Sequence, residues 1–192
     1  MARIILASSS PYRKELLKRL IPRFDSAAPG IDESPKPNEN PQELVKRLAI
    51  EKTDRVAKKL LNVIIIGSDQ VAVCDQKMLG KPGSIEKAKN QLQFVSGKTV
   101  TFFTGLCVMN TENQKLMSDV IQFDVEFRKL QDQQIESYLE KEPALNCVGS
   151  FKSEGLGIAL TNRMTGDDPT ALIGLPLIRL SQMLEALDAP VI

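Results

Sequence analysis

The sequence predicts an α/β fold, in which helices flank a sheet, and three features of the chain lead to this prediction. Val63–Ile66 is a run of β-branched apolar residues closed by Gly67, which is typical of a strand covered on both faces. Arg3–Ala7 has the composition of a short strand and runs directly into a helical pattern. Thr99–Met109 and Leu116–Phe127 are strand-like segments joined by a polar turn, as in an antiparallel hairpin.

The first helix follows a loop of small residues that could bind an anion. Ser10 is a favourable N-cap residue and Pro11 suits the first helical position. Backbone N–H groups and hydroxyls, including that of Ser8, would face the helix N-terminus. Arg13 falls near the middle of the apolar stripe made by the three leucines of this helix. An inward arginine needs a negative partner, which is either a ligand or a structural carboxylate.

A second helix is predicted from Pro41 to about Leu60, with Asn40 as its N-cap. Lys52 lies at the centre of its apolar face, so a second cation points inward. This lysine either extends along the core to solvent or faces a cleft. Lys52 and Arg13 are thus two cations that point inward from the apolar faces of separate helices. The apolar positions of this helix are Leu44, Val45, Leu48, Ala49, Val56 and Leu60.

Asp69 is predicted to follow the end of the central strand, after Gly67 and Ser68. Ligands of open α/β sheets collect at the carboxyl ends of strands, so a carboxylate there is a candidate for chemistry. The alternative is that Asp69 caps the next turn.

The remaining segments extend the α/β pattern. They are a strand at Phe24–Ala28, a loop at Met78–Pro82 that contains Lys81, a possible bulge at Gly105, helices at Ile85–Val95 and Gln131–Glu140, a strand at Leu156–Leu160, a cap at Asp168 and a final amphipathic run at Leu177–Leu187.

Composition narrows the range of functions. The 192 residues include no histidine, which excludes Ser-His-Asp catalysis and histidine-based zinc sites. With 25 basic and 24 acidic residues, no overall field favours nucleic acid. No apolar run is long enough to cross a membrane, and the amino terminus does not resemble a signal peptide. Cys74, Cys107 and Cys147 are widely spaced and fit buried, inert thiols, so a cytoplasmic location is expected.

Eight segments, in this order, resemble the Maf family of nucleotide pyrophosphatases: ILASSSPYRKELL, PGIDES, LVKRLAIEK, IIIGSDQVAV, GKP, TGLCV, FKSEG and GDDPTALIGLP. Together they span nearly the whole chain. The resemblance implies one domain over residues 1–192, with a mixed sheet and two lobes around a cleft. This elongated fold would be similar to that of the inosine triphosphate pyrophosphatases.

Members of the family hydrolyse a nucleoside triphosphate to the monophosphate and pyrophosphate with a divalent metal such as Mg²⁺, Mn²⁺ or Co²⁺. By resemblance, Asp69 is the proton acceptor, and either Asp69 or Glu33 could hold the metal. The residues that would bind the substrate phosphates are Ser8, Arg13, Lys52 and Lys81.

Three positions resemble the 7-methyl-GTP branch of the family: Tyr12, Gln70 and Glu154. An aromatic face suits a cationic methylated guanine, and a carboxylate could accept hydrogen bonds from the guanine edge. Two structural alternatives remain, since Tyr12 could belong to the core and Glu154 could pair with Lys152.

Two other functions stay open at this point. One is hydrolysis of dTTP or UTP by the same family chemistry. The other is a regulator of septum formation that binds nucleotides without turnover. A homodimer is plausible by resemblance alone.

Overall fold

The computed structural model describes residues 3–58 and 60–192 and confirms the α/β class, with a mixed sheet flanked by helices. The strands are β1 (Arg3–Leu6), β2 (Asp25–Ser26), β3 (Val63–Cys74), β4 (Lys77–Leu79), β5 (Thr99–Asn110), β6 (Lys115–Phe127) and β7 (Thr161–Thr165). The α-helices are α1 (Pro11–Leu20), α2 (Pro41–Ala57), α3 (Ile85–Val95), α4 (Asp132–Lys141) and α5 (Leu177–Ala186). Short 3₁₀-helices cover Val148–Ser150, Leu156–Leu160 and Pro169–Ile173.

The chain is organised as two compact units. The first comprises Met1–Asp69, Thr104–Ile121 and Asp168–Ile192, and the second comprises Gln70–Phe103 and Gln122–Asp167. The strand order in the sheet is β2-β1-β3-β5-β6-β7, and β4 pairs with β3. The predicted arrangement of two lobes around a cleft stays a prediction.

The sheet of the first unit is parallel where β1 lies between β2 and β3. Arg3–Leu6 pairs in register with Val63–Ile66. Side chains alternate between two apolar clusters: Ile64 and Ile66 pack with residues of α1 and α5, whereas Ile65 packs with Val56 of α2. Both faces of β3 are therefore covered, which explains its unbroken apolar run.

Two glycines let α2 approach the sheet closely. A Cβ at Gly67 would meet the Ala49 carbonyl oxygen and the Thr53 side chain, and one at Gly105 would meet the Val45 carbonyl. Gly67 therefore does not end the strand as predicted, because its missing side chain serves helix packing while β3 continues to Cys74. Gly105 likewise leaves room for the backbone of α2, which approaches the sheet closely at this residue.

In the second unit, β4 forms an antiparallel pair with the end of β3. Lys77–Leu79 is therefore a strand, although a loop was predicted at Met78–Pro82. The prediction of a strand at Leu156–Leu160 is also wrong. Ile158 N–H bonds the Gly155 carbonyl and Thr161 N–H bonds the Ile158 carbonyl, which is the i to i+3 pattern of a 3₁₀-helix. Strand β7 begins at Thr161.

Aromatic side chains pack together in the second unit. The Phe151 ring lies 5.2 Å from the ring of Phe127 and 6.0 Å from that of Phe102, between centroids. All three rings are buried, and α3 packs against α4. Edge-on and tilted contacts of this kind add to the stabilisation from burial.

Among the described helices, none combines the length and apolar character needed to cross a membrane.

We expect Gly105→Ala to destabilise the protein by about 1–3 kcal/mol, because its added methyl would collide with a backbone carbonyl that cannot rotate away. Gly80→Ala is the matched control, since no atom lies within 4 Å of its added Cβ. Urea unfolding measures both changes. Equal effects of the two substitutions would contradict the close packing of α2.

Candidate active site

The loop between β1 and α1 is shaped by its own serines. The Ser8 hydroxyl accepts a hydrogen bond from Ser10 N–H at 3.1 Å, and the Ser10 hydroxyl caps α1 by accepting from Arg13 N–H at 3.4 Å. Ser8 is buried, with 5% of its surface exposed. The loop therefore holds a defined shape at the N-terminus of α1, which is a favourable place for an anion.

Arg13 is fixed by a carbonyl from the far end of the chain. Its Nε donates to the Gly174 carbonyl oxygen at 2.8 Å. The Ser68 hydroxyl lies 2.9 Å from the same oxygen and 2.8 Å from the Gly105 carbonyl oxygen. Gly174 has a φ of +108°, a backbone conformation that favours glycine. The bond at Nε orients the plane of the Arg13 guanidinium.

Asp168 fixes the turn that presents Gly174. One carboxylate oxygen accepts from the N–H and hydroxyl of Thr170, and the other accepts from the N–H groups of Ile178 and Arg179 in the first turn of α5. Asp168 is 3% exposed. It therefore satisfies backbone donors at two helix starts, as the predicted cap requires.

Lys52 joins the two candidate acids of the first unit. Its Nζ lies 2.5 Å from Oδ1 of Asp69 and 2.8 Å from Oε1 of Glu33. Lys52 is 4% exposed, whereas Asp69 is half-buried and Glu33 is largely exposed. The prediction that Lys52 faces inward is confirmed, and its charge is balanced by carboxylates rather than carried to solvent.

Arg13 lies within electrostatic reach of the same carboxylates. Burial lowers the pKa of Arg13, and the negative charges of Asp69 and Glu33 act in the opposite direction. An arginine stays protonated under these conditions. Arg13, Lys52, Glu33 and Asp69 are called the charged cluster below, and their four formal charges cancel.

Asp69 lies within β3, whereas the sequence had suggested that it follows the end of this strand. The parallel pairing with β1 stops at Ile66, and the Ala7 N–H bonds the Ile66 carbonyl at 2.8 Å. Asp69 is thus just beyond the carboxyl end of the parallel segment, which is where α/β sheets bind ligands.

An ion-pair network fastens the loop that carries Glu33. The Arg47 guanidinium contacts both carboxylate oxygens of Glu39, through Nε at 2.5 Å and Nη2 at 2.8 Å. Nη2 also donates to the Ser34 carbonyl at 3.1 Å, and Nη1 lies 3.1 Å from Glu51. The bond to Ser34 ties the residue next to Glu33 to Arg47 of α2, and the bidentate pair with Glu39 fixes the Arg47 guanidinium.

Four other predicted site residues are not members of the charged cluster. Tyr12 is half-buried on α1 in the first unit. Gln70 is half-buried on β3, and Lys81 and Glu154 are exposed in loops, all three in the second unit. Lys152 Nζ lies 2.6 Å from Oε1 of Glu142, so this lysine has a carboxylate partner other than the predicted Glu154.

Comparison with known proteins decides the family, because the model of the Maf-like protein family matches residues 3–187. The chain belongs to the Maf-like family. Three relatives carry the name 7-methyl-GTP pyrophosphatase. Those of Nitrosococcus oceani, Colwellia psychrerythraea and Methylobacillus flagellatus are 53%, 50% and 52% identical to this chain, over 98%, 96% and 100% of it and 95%, 92% and 100% of themselves.

A solved structure, that of the Staphylococcus aureus Ham1 protein, shows a distant likeness to this Maf-like protein. The TM-score is 0.42 and the identity 16%, over 66% of this chain and 72% of that chain. The likeness is too distant to inform the site.

Sequence reasoning missed several residues that hold the site of this Maf-like protein in place. Ser68, Gly174 and the Arg47–Glu39 pair position Arg13 and Glu33 without resembling catalytic residues. A serine flanked by Gly67 and Asp69 and a glycine after the Pro169–Ile173 segment were the available signals. Neither signal identifies its partner, because the partners are distant in sequence.

Two cysteines of this Maf-like protein, Cys74 and Cys107, are poor nucleophiles. Burial raises the pKa of Cys107 to about 11 and raises that of Cys74 as well. Cys147 is half-buried. A thiol with a raised pKa is mostly protonated near neutral pH and therefore unreactive.

We expect the Arg47–Glu39 pair to stabilise the protein in a pH-dependent manner. The hydrogen bond from Arg47 lowers the pKa of Glu39 from 4.5 to about 2. Because the folded pKa is depressed, the stabilisation is present above about pH 4.5 and is lost as the pH falls toward about 2.

The stability advantage of the wild type over Glu39→Gln should therefore shrink across that range, measured by urea unfolding at several pH values. Glu140→Gln, which changes an exposed carboxylate on α4, is the control for effects of acid that do not involve the Arg47–Glu39 pair. A constant advantage over Glu39→Gln would contradict the assignment.

Proposed function

We propose that this protein hydrolyses a nucleoside triphosphate, with 7-methyl-GTP as its substrate, to the monophosphate and pyrophosphate. The observation that supports the reaction class most directly is the buried Lys52 ammonium held between Asp69 and Glu33, with Arg13 nearby. The three relatives named 7-methyl-GTP pyrophosphatase support the substrate.

The zero net charge of the charged cluster favours a triphosphate that binds together with a metal cation. The formal charges of the charged cluster cancel, so it offers no net attraction to a triphosphate. Binding such a ligand requires additional positive charge. A divalent metal would supply it, and Lys81 is proposed as a further phosphate-binding cation.

The residues present fit a divalent metal. Mg²⁺ binds through one or two carboxylates together with substrate phosphates, and Asp69 and Glu33 already share one cation, the Lys52 ammonium. Within residues 3–58 and 60–192, no group of three or more His, Cys, Asp or Glu side chains could hold a metal, so phosphate oxygens would complete the coordination. When bound, Mg²⁺, Mn²⁺ or Co²⁺ neutralises phosphate charge and acidifies water.

Asp69 is the proposed proton acceptor. A water molecule attacks the α-phosphorus, the bond to the bridging oxygen breaks, and pyrophosphate leaves with that oxygen. The proton of the attacking water passes to the Asp69 carboxylate. Lys52 holds Asp69 in position before reaction, and its ammonium would also contact phosphate oxygens of the bound substrate.

Arg13 is the proposed phosphate anchor. Its Nε–H is used by the Gly174 carbonyl, so the two terminal NH₂ groups would face the substrate with a fixed plane. An oriented guanidinium suits bidentate contact with phosphate. Ser8 and the N-terminus of α1 lie on the same loop and helix and would contribute to phosphate binding.

Recognition of the base is proposed for Tyr12, Gln70 and Glu154. Methylation at N7 makes guanine cationic, so an aromatic ring and a carboxylate both favour it over a neutral base. Glu154 would also accept hydrogen bonds from the N1–H and N2–H₂ groups of guanine, which a pyrimidine lacks. We further propose a cytoplasmic location.

Asp69→Asn should lower kcat by about 10²-fold or more while leaving the nucleotide Kd within a few-fold, because the amide keeps the shape but cannot accept the proton. Pyrophosphate release measures kcat, and titration calorimetry measures Kd. Asp188→Asn is the matched control, since this exposed carboxylate is also in the first unit. Wild-type turnover in Asp69→Asn would remove Asp69 from the mechanism.

A nucleotide panel tests the substrate. With Mg²⁺ or Mn²⁺ present, pyrophosphate release should be fastest from 7-methyl-GTP and slower from GTP, dTTP and UTP. Chelation by EDTA should abolish it, and added metal should restore it. Preference for dTTP or UTP would overturn the substrate but keep the reaction, and absence of product from every nucleotide would favour a binding protein.

A further inference from the structure

One carboxylate fastens both ends of the loop that carries Glu154. Glu142 follows α4 directly, and its Oε1 lies 2.6 Å from Nζ of Lys152. Its Oε2 accepts a hydrogen bond from Leu156 N–H at 2.5 Å. Residues 152–156 therefore form a short loop closed at both ends by Glu142, with Glu154 at the centre. This loop with Glu142 is called the Glu142 clamp.

The same helix holds the loop at a third point. The Tyr138 hydroxyl accepts from Lys152 N–H at 3.2 Å and donates to the Ser150 carbonyl at 3.3 Å. Burial raises the pKa of Tyr138, so the hydroxyl keeps the proton that it donates. The start of the loop is thus tied to α4 through both backbone and side chain.

A glycine makes room for the clamping carboxylate. A Cβ added at Gly155 would collide with both carboxylate oxygens of Glu142. Contact with Glu142 is therefore what an alanine at this position would disturb.

Glu142 and Glu154 occupy opposite environments. The Glu142 side chain is 16% exposed, whereas Glu154 is exposed. Burial acts to raise the pKa of Glu142, but the hydrogen bonds from Lys152 and Leu156 together outweigh it and lower the pKa. Glu142 is therefore charged near neutral pH, and both of its carboxylate oxygens bind the loop.

We propose that Glu142 is a positioning residue that sets nucleobase selectivity by holding Glu154 in one orientation. This inference rests on the proposed function, in which Glu154 reads the guanine edge. A carboxylate on an unrestrained loop loses conformational entropy when it binds, and prior ordering removes that cost. The clamp contains none of Asp69, Lys52 and Arg13, so opening it should affect selection of the base and not the chemistry.

Two substitutions open the clamp in different ways. Glu142→Ala removes the carboxylate, and Gly155→Ala displaces it while leaving every charge in place. Glu140→Ala is the matched control, because Glu140 is an exposed carboxylate on α4 two residues away. The readout is the ratio of kcat/KM for 7-methyl-GTP to that for dTTP, from pyrophosphate release. General destabilisation would lower both values together and leave the ratio unchanged.

The ratio should fall about tenfold in each clamp variant, the size expected for one charge-assisted hydrogen bond, and kcat for dTTP should stay within about twofold. The double substitution should match Glu142→Ala alone, because there is no carboxylate left to displace. Glu140→Ala should keep the wild-type ratio. If Glu142→Ala fails to fold, Gly155→Ala carries the test.

A wild-type ratio in folded Glu142→Ala or Gly155→Ala would overturn the clamp proposal alone. Failure of the wild type to release pyrophosphate from 7-methyl-GTP would overturn the proposed function and the clamp's role with it.

Discussion

The ammonium of Lys52 is the contact on which the candidate site depends. It is buried and touches Asp69 on the central strand and Glu33 on a loop, so it brings a helix, a strand and a loop to one point. A buried lysine is costly unless carboxylates surround it, and carboxylates brought together repel unless a cation lies between them. Each of the three charges therefore makes the position of the other two favourable.

Close packing of α2 puts Lys52 in that position. Gly67 and Gly105 let the helix backbone approach the sheet at Ala49 and Val45. A larger residue at either glycine would push the helix outward and move Lys52 away from Asp69. The site geometry is therefore set by helix-to-sheet distance, which is a packing property and not a catalytic one.

In both units, charged residues that take no part in the proposed chemistry hold the loops that carry or orient the proposed site residues. Arg47 with Glu39 fastens the loop of Glu33, Asp168 fixes the turn of Gly174 that orients Arg13, and Glu142 fastens the loop of Glu154. In each case a carboxylate or guanidinium binds backbone groups of the loop as well as side chains. Functional side chains on these loops gain order in this way.

The sequence by itself determined the α/β class, the inward faces of α1 and α2, and the resemblance to the family to which the chain belongs. These follow from local periodicity, capping residues and motifs, all of which are read along the chain. The boundaries of β3, the strand at Lys77–Leu79 and the 3₁₀-helix at Leu156–Leu160 needed the structure, because pairing and turning there depend on distant backbone groups. Only the tertiary structure decided that Lys52 pairs with Asp69 and Glu33, that Arg13 binds Gly174 and that Lys152 pairs with Glu142. Ion-pair partners are chosen by distance in space, and local patterns along the chain do not show which of its 24 acidic residues will lie near a given cation.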